Sequence, residues 1–72
     1  MIENDYLIQL GKNIAKKRLA AGISQSDFAL MCDIDRQSMS RIENGGTNPT
    51  ILTLQLIAKE LGLKVKDLLD FE

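Results

Sequence analysis

The stretch SQSDFALMCDIDRQSMSRIEN, Ser24 to Asn44, decides the fold. Ser24 is a helix N-cap residue, and Asp27 three positions later makes an approximate capping box. The spacing predicts a helix of about eight residues in which Phe28, Ala29 and Cys32 share a face. Asp33-Ile34-Asp35 is a short turn. Asp35 then caps a second helix running to about Asn44, where Asn44-Gly45-Gly46 supplies the stop. The small Ala29 on the inner face lets two helices cross closely, which a helix pair joined by a tight turn requires.

The second helix divides its residues sharply. At roughly 100° per residue, Met39, Ile42 and Glu43 fall within one arc, while Gln37, Ser40, Arg41 and Asn44 occupy the opposite side and Arg36 flanks the first turn. That second face carries long, hydrogen-bonding, non-acidic side chains. Arginine can bond a guanine edge through two donors and glutamine an adenine edge, the equipment of a major-groove reader.

Working outward, Leu7, Leu10, Ile14 and Ala21 make one stripe of a helix from about Asn4 to Ala21, ended by Gly22. Lys12, Lys16 and Lys17 lie mostly off that stripe, as a solvated face that adds non-specific attraction to phosphate. Thr50, just after Pro49, caps a helix whose Ile51, Leu54, Ile57, Ala58 and Leu61 line one side and which Gly62 stops. Val65 to about Leu69 forms a last short turn or helix. Strand signals are weak, so the expected fold is all-α, a bundle of five short helices.

Composition excludes several functions. A chain of 72 residues makes one domain at most and buries only about 60% of its unfolded surface, so its core is small. Apolar residues at 44% and charged residues at 26% suit a soluble globular domain. There is no histidine, so the commonest acid–base group and metal ligand are missing, and no metal or other cofactor is expected. Ser24, Ser26, Ser38 and Ser40 therefore have no activating base, and the chain reads as a binding module rather than an enzyme. Asp33-Ile34-Asp35 fails as a calcium loop, because its sixth position is Ser38 and its twelfth Asn44. One cysteine makes neither an internal disulfide nor a zinc site and fits a reducing cytoplasm; Cys32 reads as a small buried apolar residue. No apolar run approaches a membrane span. The net charge of −1 hides a division: Asp67, Asp70 and Glu72 crowd the C-terminus, while Arg36 and Arg41 sit on the second helix of the pair.

The ordered set Leu10-Gly11, Ile14, Arg18, Gly22-Ile23-Ser24-Gln25, Phe28-Ala29, Ser38 to Gly45, Asn48-Pro49, Leu54, Ile57-Ala58 and Leu61-Gly62 resembles the Cro/repressor (XRE-type) helix-turn-helix family. The resemblance covers about Leu10 to Leu69. It implies a five-helix lambda-repressor-like bundle whose second and third helices bind double-stranded DNA. Carried onto this chain, it makes Gln25 a phosphate clamp, Arg36, Gln37, Ser40 and Arg41 the base-facing set, and Asn44 with the loop after it a backbone contact. It also pairs Arg18 with Glu43, as a largely buried ion pair between helices 1 and 3; Glu43 shares the arc of Met39 and Ile42, an odd place for an unpaired carboxylate. Two positions depart from the pattern. Asp33 stands where glycine is usual, a residue that tolerates a left-handed turn better than most. Lys64 replaces the small polar cap of the last helix, which is expected to start raggedly.

A second apolar stripe, Leu52 and Leu56, lies on the other side of the fourth helix, where related sequences place polar residues. With Val65 and Leu68 it reads as a two-fold homodimer interface; Leu69 and Phe71 add further apolar surface. The competing reading folds Ile2, Tyr6 and Leu7 back over Leu52 and Leu56. Function then divides three ways. The first is a dimeric sequence-specific regulator, since one recognition helix reads few base pairs. The second is an antitoxin or restriction-modification controller-type subunit, which binds a protein partner such as a toxin and autoregulates its operon. The third is a helix-turn-helix kept for protein contact alone, which failure to bind DNA at low salt would favour.

Overall fold

The computed structural model describes residues 2–71, with side chains from Asp5 onward. Five helices follow in order: α1 (Ile2–Ala20), α2 (Gln25–Met31), α3 (Arg36–Asn44), α4 (Ile51–Glu60) and α5 (Val65–Leu68). There is no strand among the described residues.

Local chemistry sets the helix starts. The Ser24 hydroxyl accepts the Asp27 N–H at 3.1 Å, Asp35 Oδ1 accepts the Ser38 N–H at 2.7 Å, and Thr50 Oγ1 accepts the Thr53 N–H at 3.1 Å. α5 starts cleanly, contrary to the ragged start expected of Lys64. The Asp67 carboxylate reaches back to accept the Lys64 N–H at 2.9 Å, so the far half of a capping box does the work alone. Between α2 and α3 the turn passes through Asp33 at φ 56°, and the Ile34 N–H closes on the Ala29 carbonyl at 2.9 Å.

α1 begins earlier than its sequence pattern suggested, so the N-terminal residues continue the helix instead of folding back over α4. Tyr6 meets Phe71, ring edge to face with centroids 5.1 Å apart, while Leu52 stays 73% exposed. The side chain of Ile2 and the whole of Glu72 lie outside the described residues.

Phe28, Ile14, Met39 and Ile57 are completely buried and bring four helices to one core. Leu68 joins them at 0% exposure, which corrects its assignment to a dimer surface. Its burial is anchored by Asn13, whose side-chain amide donates to the carbonyls of Leu68 and Asp67 at 2.9 and 3.2 Å. Ile51 is also corrected. At the first position of α4 its side chain leans back past the helix start, beyond the turn seated by Leu54, and is exposed.

α1 and α3 meet backbone to backbone. A Cβ on Gly11 would collide with the carbonyls of Ile42 and Glu43, and one on Gly45 would stand 2.6 Å from the Ile8 Cα. Gly45 also ends α3 in the left-handed conformation, φ 76°, that a side chain would resist.

Candidate nucleic-acid interface

α3 is held from one side only. Met39, Ile42 and Glu43 are buried, whereas Arg36, Gln37, Arg41 and Asn44 are exposed and Ser40 is half-buried. The structure therefore brings the expected base-facing residues to one outward surface. Asn44 Nδ2 donates to Ser40 Oγ one turn back at 3.4 Å, a long contact that leaves both groups available. At the head of α3, the Ser38 backbone N–H holds the Asp35 carboxyl below the usual carboxylate range, and the Arg41 charge acts in the same direction. Asp35 thus stays ionised and committed to its cap.

Arg18 and Glu43 meet beneath this surface. Arg18 Nε donates to Glu43 Oε2 at 2.8 Å and Nη2 to Oε1 at 3.1 Å, with both side chains under a tenth exposed. Arg18 Nη1 also donates to the Ile23 carbonyl at 2.8 Å, which ties the α1–α2 turn to the same guanidinium. Gln25, at the first position of α2, does not project freely. Its Nε2 donates to Glu43 Oε1 at 3.0 Å while the residue remains half-exposed.

Beside α3, a hollow of about 300 Å³ opens between Ser38 and Arg41 and the segment Thr47 to Thr53. Asn48 there belongs to the family pattern, and the loop after Asn44 is the backbone contact that pattern implies, whereas Thr47 and Thr53 carry no signal in the sequence beyond the Thr50 cap, because the path of the loop is not legible there. Lys12, Lys16 and Lys17 lie elsewhere, around a second hollow with Asp70 and Phe71 that no residue of α3 borders. Leu52 and Leu56 are exposed on α4, and Val65 is half-buried.

A short capped helix, a left-handed turn and a second helix presenting an exposed polar face define a helix-turn-helix. Comparison with known proteins agrees: residues 14–68 match the Helix-turn-helix family HTH_3, and the chain belongs to that family. It is 36% identical over 69 residues to control protein C.BamHI of Bacillus amyloliquefaciens, covering 94% of this chain and 85% of that protein. It is also 36% identical over 66 residues to control protein C.MunI of Mycoplasma sp, covering 90% and 89%. The solved restriction-modification controller protein C.AhdI from Aeromonas hydrophila superposes with a TM-score of 0.84 at 26% identity, covering 86% of this chain and 94% of that one.

Proposed function

We propose that this chain is a sequence-specific, double-stranded-DNA-binding transcriptional regulator of the restriction-modification controller type. In this reading it is one domain throughout, acts in the cytoplasm as a homodimer, and regulates by occupying its site rather than by chemistry on DNA. The observation that carries it is the outward face of α3, where Arg36, Gln37, Arg41 and Asn44 stand opposite the buried Met39 and Ile42. α3 enters the major groove, Arg36, Gln37, Ser40 and Arg41 read base edges, and Gln25 and Asn44 hold phosphates on either side. The relation to C.BamHI and C.MunI over nearly the whole chain favours the controller reading over an antitoxin that holds a toxin.

Selection on random duplex DNA should return one preferred, two-fold symmetric sequence. Each arginine that makes a two-donor guanine contact should then cost about 1–3 kcal/mol of specific binding when replaced by alanine. An Arg36→Ala/Arg41→Ala double variant with unchanged affinity and unchanged preference would overturn the assignment.

A further inference from the structure

We propose that Glu43 is a positioning residue for DNA binding, holding the Gln25 amide in a preset orientation toward a phosphate. The inference rests on the DNA-binding reading and extends it to a buried residue that no DNA can touch. An ion pair with Arg18 needs only the two contacts at 2.8 and 3.1 Å, yet Glu43 accepts a third hydrogen bond, from Gln25 Nε2 at 3.0 Å. That contact joins the first residue of α2 to the last turn of α3, so it crosses the two helices of the reading unit.

A carboxylate only accepts, which dictates that the amide turns its nitrogen inward. One N–H is spent on Glu43. The other projects away from it at a half-exposed side chain and has no protein partner among the described residues. Gln25 thus offers a donor whose direction is set before DNA arrives, and the rotamer loss on binding is already met. Arg18 completes the device. A bare carboxylate behind the amide would repel a phosphate, and the paired guanidinium cancels that charge without competing for the outward N–H.

Glu43→Gln tests the assignment. Its one neutral carbonyl oxygen replaces the two charged oxygens that serve Arg18 Nε, Arg18 Nη2 and Gln25 Nε2. With that oxygen on Arg18 Nε an NH2 group faces the Gln25 NH2; with it at the Oε1 place Gln25 keeps only an uncharged acceptor shared with Arg18, so either arrangement loosens the hold on Gln25. Duplex binding is measured by fluorescence anisotropy for the selected sequence and an unrelated one, with wild type, Gln25→Ala, Glu43→Gln and the double variant. Gln25→Ala should weaken both duplexes about tenfold, as expected for a hydrogen bond to a charged group. Glu43→Gln should weaken both about three- to tenfold, the cost of ordering one free side chain. The double variant should bind within about twofold of Gln25→Ala, because the two changes remove one contact. Penalties that simply add, or a Glu43→Gln variant that binds like wild type, would overturn the proposal.

Side-chain amide NMR of free wild type decides the matter even if Glu43→Gln does not fold. The Gln25 amide should be as rigid as the α3 backbone, unlike exposed Gln37 and Gln55; mobility equal to theirs would overturn the proposal. Wild type that binds no duplex at low salt would remove the DNA-binding reading and this inference together. Binding in wild type with an additive cycle would remove this inference alone.

Discussion

Cys32 is chemically quiet because of where it sits. Burial pushes its thiol from an ordinary 9.0 up to about 11, and the negative charge of Glu60 adds to the shift. The folded state therefore prefers the protonated form. Its contribution to stability is complete below pH 9.0 and is lost as pH rises from there through about 11, because the unfolded chain releases the proton first. The Tm advantage of wild type over Cys32→Ala should shrink across that interval, which calorimetry at several pH values can follow. A constant difference would show that the thiol does not titrate with folding. The same quietness bears on reactivity, since the thiolate is the nucleophile and this site suppresses it.

At the scale of elements, the position of α3 is referenced to α1 through Gly11. Helix propensity alone says that Gly11→Ala stabilises α1 by about 1 kcal/mol. Contact says the reverse, since a Cβ there meets the backbone carbonyls of Ile42 and Glu43, which cannot swing aside like a side chain. Overpacking costs roughly 1–3 kcal/mol and wins here. Gly11→Ala should therefore melt several degrees lower than wild type, whereas Gly46→Ala, whose new Cβ has only an ordinary 3.7 Å neighbour, should not. Equal melting of the two would refute the close approach. These contrasts explain what was legible in the sequence. Caps at Ser24, Asp35 and Thr50 involve partners three residues away, so the chain displays them locally. The polar face of α3 follows from one helical period, so Arg36, Gln37, Arg41 and Asn44 could be placed. The Gly11 contact, the grip of Asn13 on residues 54 and 55 positions away, and the reach of Gln25 to Glu43 all depend on how helices cross. Periodicity contains no crossing angle. Leu68 shows the consequence: its apolar character is plain in the sequence, whereas the core that receives it is not.

At the scale of the molecule, size argues for pairing. The chain extends 31 Å at most and carries one α3, whereas two recognition helices in successive major-groove turns need centres about 34 Å apart. In the dimer reading two chains supply them, and the exposed Leu52 and Leu56, with half-buried Val65 near them in sequence order, form a self-complementary apolar patch. Sedimentation should show a concentration-dependent dimer for wild type and a folded monomer for Leu52→Glu/Leu56→Glu, with loss of cooperative binding to the symmetric site. A wild type that remains monomeric at high micromolar concentration would place the contact elsewhere or exclude it. The contact between Tyr6 and Phe71 has a different consequence. Tyr6 is the single tyrosine and there is no tryptophan, so the chain's near-ultraviolet absorption and emission arise almost wholly from that ring. Because it rests edge-on against a residue four places beyond the Asp67 that Asn13 grips, its optical signal is a gauge of whether the two ends of the chain are docked. An experimenter who follows that light watches the seam between the first helix and the segment that ends at Phe71, and senses events at α3 only indirectly.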